Sequence, residues 1–494
     1  MDFDLDGWSD LYLTQGSEWP VNKTEPGKRD QLFRSIDGGT RVEKVTAEAG
    51  LGDADYSQGV TVGDINSDGF PDLYIGNLGQ NRLYHNNGDG TFTEVSSQIQ
   101  GRSNRWTTSV LAADLNTDGL VDLFDANYLS GDKVFELMCG EVQRVCAPAA
   151  YTGEHCDIYL NDGAGGFKSA SESTGLTKRI GKSLGIIAGD LDNSGQLSLF
   201  VSNDGIANFL FVPQGDGDDL KFDEQALNRG IAFDYDSSGQ ACMGITADDF
   251  DGDEMPDFFV TNYYEESNTL YKMLAGNLFV DHSREAQLRT PSFMFLGWGT
   301  QSIDANLDGW PDLVVTNGHV DDFTHAKIPF RMRPQFFQNN GGQFSEVEPT
   351  AESEFMNQQQ LGRGLARLDI DRDGRMDFAV NHLDTPASVA RNVTADAGHF
   401  LTVHLVGIES TRDPIGASVT VQTADRKRTI QLFAGDGFQA CNQRVLNFGL
   451  DNAGKIERMI VQWPSGVRQT FTDVPIDNEI KIRENVGSLY ALPK

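Results

Sequence analysis

The sequence predicts an all-β fold, a seven-bladed β-propeller followed by a small second β domain. Three observations predict it. An acidic loop of pattern D-x-[DN]-x-D-G-x-x-D, twice in altered form, recurs seven times, beginning at Asp2, Asp64, Asp114, Asp190, Asp249, Asp304 and Asp369. A hydrophobic strand follows each loop, and a small residue stands five positions before all but the first: Gly59, Ser109, Gly185, Gly244, Gly299 and Gly364. The repeats start about 50 to 76 residues apart, the length of a propeller blade plus insertions.

Oxygen donors at alternate positions followed by a glycine are what a calcium ion requires of a chain that wraps around it. Calcium takes roughly six to eight oxygens at about 2.3–2.6 Å, and the glycine permits the sharp turn. The loop is not an EF-hand, which carries a bidentate Glu at its twelfth position. Here that position is Leu13, Ile75, Asp125, Val201, Val260, Val315 or Val380, within the following strand. The last carboxylate must therefore come from position nine. The expected ligands are the side chains at positions one, three, five and nine and the main-chain carbonyl at seven.

In the first loop these are Asp2, Asp4, Asp6, Trp8 and Asp10; in the second, Asp64, Asn66, Asp68, Phe70 and Asp72. The third supplies Asp114, Asn116, Asp118, Leu120 and Asp122, and the sixth Asp304, Asn306, Asp308, Trp310 and Asp312. The seventh supplies Asp369, Asp371, Asp373, Arg375 and Asp377. The fourth keeps Asp190 and Asp192 but has Ser194 and Ser198 at positions five and nine, so weak binding or none is expected there. The fifth keeps Asp249, Asp251, Asp253, Met255 and Asp257 but has Glu254 in place of the glycine, and a strained turn is expected. About five or six calcium ions follow. Turns are rich in Asp and Gly in any protein, but that does not explain Asp or Asn at position three in every loop.

A small residue at a fixed place in a strand indicates close approach of another backbone, as among inner strands crowded around an axis. Asn77, Asn127, Asn203, Asn262 and Asn317 lie five residues past position nine, with Gln15 and His382 in the outer repeats. A third strand and hairpin come next, clearest at Leu83–Phe92 and echoed at Ile158–Phe167, Leu270–Phe279 and Phe336–Phe344. Gly-rich turns between such runs read as β-hairpins. Each repeat is then four short strands with the loop between the first two. The expected domains are 1–393 for the propeller, 398–486 for the second β domain and 487–494 for a tail. In the second domain, His399–Leu405, Ser418–Gln422 and Arg458–Trp463 alternate or run hydrophobic as strands do.

The loop following a glycine-bearing strand resembles the FG-GAP or VCBS repeat, also found in the propellers of integrin α-subunits. Gly416-Ala-Ser-Val419, Gly435-Asp-Gly-Phe438, Phe448-Gly-Leu450 and Trp463-Pro-Ser-Gly466 resemble the ASPIC/UnbV domain, which follows such repeats in the cartilage acidic protein-like family and in many bacterial secreted proteins. Ala440-Cys441 departs from the Ser-Gln usual in that family. Cys139 and Cys146 lie in a long insertion at a spacing that allows a local disulfide, with two free thiols as the alternative; the resemblance favours the pair. Cys156, Cys242 and Cys441 read as isolated buried thiols, and no zinc-ligand spacing is present.

The net charge of −34 argues against nucleic acid and against docking on anionic membranes. No apolar run reaches the roughly 18–20 residues of a membrane helix. The first loop begins directly after Met1, without the strand that precedes the others, and an N-terminally truncated first blade is expected. Sites of about 10⁻⁴–10⁻³ M affinity suit an extracellular or periplasmic location. Asn22 and Asn392 lie in N-x-T sequons.

No G-x-S-x-G elbow, H-E-x-x-H, Walker loop or dinucleotide fingerprint is present. His319 reads as a loop histidine held by hydrogen bonds. Trp106, Trp298 and Trp310 could stack on a sugar or fill gaps between blades. The leading expectation is a calcium-binding extracellular scaffold whose insertions at 125–156 and 317–334 recognise a protein or a glycan. A lectin-like propeller is the alternative, since the resemblance includes lectins, and a polysaccharide-active enzyme ranks third. Neither the recognised ligand nor the oligomeric state is legible.

Overall fold

Every acidic loop but the first joins the first two strands of an antiparallel sheet. In the computed structural model, which describes all residues except 18, 22–27, 103, 141–143, 352 and 494, the register is the same wherever an inner strand precedes the loop. Position nine pairs with the residue just before position one: Gly63 with Asp72, Ala113 with Asp122, Gly189 with Ser198, Asp248 with Asp257, Ile303 with Asp312 and Leu368 with Asp377. The loop thus closes like a long hairpin turn, and its spacing is fixed by the pleat of the strands on either side.

The sheet of the second loop runs Ser57–Gly63, Asp72–Gly79, Arg82–Asn86, Phe92–Glu94, and those of the third to sixth loops repeat this order with four strands along the repeat. The first and last sheets have three: Leu11–Leu13, Gln31–Ile36, Arg41–Lys44, and Gly362–Leu368, Asp377–His382, Ser388–Ala390. Among the described residues the last sheet departs from the expected four strands, whereas the first is expected to lack its inner strand. After Ser388–Ala390 the chain turns away to Asn392, whose backbone N–H donates to Asp377, and enters the C-terminal strands.

The small residues do what the spacing required. A Cβ at Gly185 would lie 2.3 Å from the carbonyl oxygen of Met243, at Gly244 2.2 Å from that of Trp298, and at Gly299 2.5 Å from that of Arg363. Each inner strand is pressed against the next. Ser109 turns its side chain to use, its hydroxyl donating to the carbonyl of Leu184 at 2.6 Å. Gly244→Ala is expected to cost about 1–3 kcal/mol, as overpacking does, read as a fall in the urea midpoint at unchanged slope. The first sheet touches its neighbours on both sides: Thr14 Oγ1 donates to the Gln58 carbonyl at 2.8 Å, and Leu11 packs against Leu368, Ile370 and Ala379.

The C-terminal residues form two four-stranded sheets. One runs Leu446–Asp451, His399–Val406, Asn478–Arg483, Leu489–Ala491; the other Lys427–Gln431, Ser418–Gln422, Arg458–Gln462, Arg468–Phe471. Alternation along Ser418–Gln422 buries Val419 and Val421 against Leu401, Val403, Met459, Val461 and the fully buried Trp463. This core continues into Leu111, Ala113, Ile186 and Ala188 of the repeat sheets.

Cys139 and Cys146 are disulfide-bonded, and Cys156 and Cys242 are buried, but Cys441 is only half-buried, against expectation, because it faces a cavity beside Leu11–Leu13. The Asn22 sequon lies outside the described residues. Asn392 Nδ2 donates to the Ala305 carbonyl at 2.9 Å, which gives that amide a structural partner.

Candidate metal centres

The turn that forms each loop is built by its own carboxylates. The amide of position six donates to the position-one carboxylate throughout: Gly7 to Asp2 at 3.0 Å, Gly69 to Asp64 and Gly119 to Asp114 at 2.9 Å, Gly195 to Asp190 at 2.8 Å, Glu254 to Asp249 at 2.9 Å, Gly309 to Asp304 at 2.8 Å and Gly374 to Asp369 at 2.9 Å. The amide of position seven donates to position five at 2.8–3.0 Å, from Trp8, Phe70, Leu120, Met255, Trp310 and Arg375. Two positions of the turn are left-handed. Position four is so at Leu5, Ser67, Thr117, Asn193, Leu307 and Arg372, and position six at the glycines. In the fifth loop Glu254 takes φ +69°, so the expected strain is present, and a glycine, Gly252, falls at position four instead.

Position nine has a second task that the ligand pattern did not reveal. One oxygen accepts the amide of position two, as in Ile65 to Asp72 at 3.0 Å, Leu115 to Asp122 at 2.9 Å and Ile370 to Asp377 at 3.0 Å. The other accepts an amide from the end of the third strand or just beyond it: Ser35 to Asp10, Asn86 to Asp72, Asn161 to Asp122, Met273 to Asp257, Asn339 to Asp312 and Asn392 to Asp377, at 2.7–2.9 Å. The ninth carboxylate therefore ties the loop to its own sheet.

In three loops, carboxylates expected as donors lie close together. Carboxylate oxygens of Asp2, Asp4 and Asp6, of Asp249, Asp251 and Asp253, and of Asp369, Asp371 and Asp377 lie within 4.8 Å of one another. Asn66, Asn116 and Asn306 at position three each donate to the position-five carboxylate at 2.9 Å. One buried oxygen of Asp2, Asp251, Asp304 and Asp371 has no hydrogen-bond partner. A buried carboxylate oxygen without a donor is costly unless a cation takes the place of water, so the residues present fit a hard divalent cation with oxygen ligands. Side-chain cations already lean on several loops: Arg34 on Asp4 at 2.7 Å and Asp6 at 3.0 Å, Lys272 on Asp251 and Asp253, Arg391 on Asp371 and Arg375 on Asp373.

Burial raises the carboxyls at positions one and nine above their ordinary range. It takes Asp114, Asp249 and Asp369 to about 6, Asp10, Asp72, Asp304 and Asp377 to about 7, and Asp257 and Asp312 to about 8. Stability from a raised carboxyl is complete below its unfolded value and is lost as pH rises through its folded value. In EDTA the urea midpoint is accordingly expected to be higher at pH 5.5 than at pH 8. Saturating calcium should abolish or reverse that difference, because protons compete with the ion for the same oxygens.

The fourth loop is held differently. Gln431 of the C-terminal sheets accepts from the Asp190 amide at 2.8 Å and donates to its carbonyl at 2.8 Å. The other C-terminal contact that sequence reasoning missed is Arg428. It is buried, 3.2 Å from Asp248 and 3.4 Å from Asp304. The signal was available: the residue before position one is Gly63, Ala113, Gly189, Ile303 or Leu368 elsewhere, and only the fifth repeat has a carboxylate there.

On the opposite side of the sheets, His319 is buried with its Nδ1 accepting the Asp321 amide at 3.2 Å and Tyr263 beside its ring, a loop histidine held by hydrogen bonds. Trp106 and Trp298 belong to one aromatic cluster with Tyr128, Tyr264 and Phe438, whereas Trp310 lies in the sixth loop under Arg426, 4.2 Å from its ring centroid. The three tryptophans do not make one surface. The two long insertions meet through Arg144, 3.0 Å from Asp321 and 5.5 Å from the ring centroid of Phe323. No helix among the described residues is long and apolar enough to cross a membrane.

Comparison with known proteins bears on both regions. The FG-GAP-like repeat family profile matches residues 2–75, 64–124, 249–315 and 304–380, and the ASPIC and UnbV profile matches 407–489. Cartilage acidic protein 1 of Mus musculus is 30% identical over 226 residues, and its Homo sapiens counterpart 29%. Each match takes in 44% of this chain and only 30% of the relative's length. Among solved structures, an Agrocybe aegerita lectin that recognises non-reducing terminal N-acetylglucosamine aligns with a TM-score of 0.41 at 14% identity, over 77% of this chain and 94% of that one. A biofilm matrix protein of V. cholerae aligns with a TM-score of 0.33 at 12% identity, over 89% of this chain and 62% of that one.

Proposed function

The chain belongs to the FG-GAP-like repeat family with a C-terminal ASPIC and UnbV region, and from that premise we propose that it is a calcium-binding extracellular scaffold built on a seven-bladed ring. Calcium would supply a divalent positive centre that neutralises the clustered carboxylates and fixes each turn. The ligands are those of the first, second, third, fifth, sixth and seventh loops, about five or six ions in all. The observation that carries this reading is the buried carboxylate oxygen without a hydrogen-bond partner that recurs at Asp2, Asp251, Asp304 and Asp371, each inside an acidic loop.

The chain's own residues do the rest. Main-chain amides hold the carboxylates within the turn, and the ion would offset the repulsion among them. The partner is a protein or a glycan held outside the cell, and the two insertions joined by Arg144, Asp321 and Phe323 form the surface that receives it. The test is the number of calcium ions bound per chain, by atomic emission after equilibrium dialysis against millimolar calcium with the free ion of the dialysate subtracted. Five or six ions, falling by one in Asp308→Ala, support the reading; zero or one would overturn it.

A further inference from the structure

The segment 434–445 leaves the C-terminal sheets and runs between the inner strands of the repeat sheets. Ala434 and Gly435 pair with Ala188 and Ile187 of the fourth repeat, and Gly437 bridges to Ile245 of the fifth. Asn442 donates to Gln301 Oε1 of the sixth at 2.8 Å and accepts the Arg367 amide of the last at 2.9 Å. Arg444 Nε donates to the Val62 carbonyl of the second at 3.1 Å. A Cβ on Gly435 would lie 2.1 Å from the Ile186 oxygen, so at that position the segment fits only as a bare backbone. Its tip, Phe438, lies 5.0 Å from Trp298 in the aromatic cluster on the far side of the sheets. A single strand of chain thus fills the axis around which the inner strands pack.

The sheets that carry this segment are seated on the backbone of the acidic loops. The Asp451 amide donates to the Leu307 carbonyl at 2.8 Å, the Gly398 amide to that of Asn306 at 2.9 Å, and Arg426 Nη1 to that of Asp308 at 2.7 Å. Asn447 donates to the Gly374 carbonyl at 3.0 Å, and Gln443 at the end of the axial segment accepts the Asp369 amide at 2.8 Å. A Cβ on Gly449 would lie 2.0 Å from Asp304 Oδ2. These groups read the sixth and seventh loops by the direction of their carbonyls, and that direction depends on left-handed Leu307, Gly309, Arg372 and Gly374. The seventh turn holds the carboxylates of Asp369, Asp371 and Asp377 close together, and the sixth holds a buried Asp304 oxygen without a hydrogen-bond partner, so a bound cation favours both turns.

We propose that ion loading of the sixth and seventh loops and seating of the C-terminal sheets are one coupled step, so that calcium withdrawal releases the axial segment 434–445. The inference rests on the calcium reading above. Because coupling is reciprocal, a seated C-terminal region also tightens the ion in those two loops.

The test is amide hydrogen exchange by mass spectrometry on the full chain, in millimolar calcium and in EDTA, with bound calcium counted in parallel. Peptides covering 434–445 are expected to exchange at least about tenfold faster in EDTA, while Ser418–Gln422 in its own sheet stays protected. Asp308→Ala should reproduce this in millimolar calcium. Asp6→Ala should not, since the first loop's charged partner is Arg34. Unchanged protection of 434–445 in EDTA, with calcium shown to be lost, would overturn the coupling and leave the calcium reading intact. Loss of protection in every sheet at once would also overturn it, since calcium would then hold the whole fold. If no calcium binds at any concentration, both inferences fail.

Discussion

Removal of calcium is expected to lower the melting temperature by on the order of 10 °C. An ion that binds the folded loops and not the unfolded chain stabilises by RT ln(1 + [L]/Kd). At ten times a Kd of about 10⁻⁴ M each site contributes about 1.4 kcal/mol, and five independent sites about 7 kcal/mol. A chain of this length has a large unfolding entropy, so each kcal/mol moves the midpoint by about 1–2 °C. The measurement is a thermal melt followed by circular dichroism, in EDTA and across a calcium titration. The midpoint should climb with the logarithm of free calcium above the Kd, and magnesium at the same concentration should do less, because it demands a tighter octahedron. A midpoint indifferent to EDTA would reduce the loops to acidic turns.

The second large effect is expected at Arg428. Its guanidinium is buried between Asp248 and Asp304, and Asp248 also accepts the Ser302 hydroxyl at 2.6 Å. Arg428→Met leaves two buried carboxylates facing each other without their cation, a loss of about 3–5 kcal/mol. Removing the carboxylate as well should recover much of that loss, because a buried pair replaced on both sides costs far less than a pair broken on one. The cycle of Arg428→Met, Asp248→Asn and the double variant, read by urea denaturation, should therefore be strongly non-additive. Additive losses would show that Arg428 contributes by packing alone.

The repeat was legible because its chemistry is local. Asp2 to Asp10 and its counterparts satisfy one another's amides within nine residues, so the pattern can be read from spacing alone. The small residues before the loops were legible for a similar reason, since only Gly, which has no Cβ, leaves room for a carbonyl that would lie 2.2–2.6 Å from one, as at Gly244 and Gly59. The disulfide between Cys139 and Cys146 closes over seven residues and was within reach of the same reading. The last sheet was misjudged because nothing near Ser388–Ala390 signals that the chain will leave for another layer instead of adding a fourth strand.

By itself the sequence determined that this is a β protein made of loop-bearing repeats with oxygen-rich turns, followed by a second run of strands. Periodicity and ligand spacing are properties of neighbours along the chain. Only the tertiary structure decided that the second region sits on the loops, that Asp248 answers Arg428 across 180 residues, and that 434–445 fills the axis. Those contacts depend on side chains and carbonyls that meet only after the sheets have packed, and no local pattern records where a strand's far face will land.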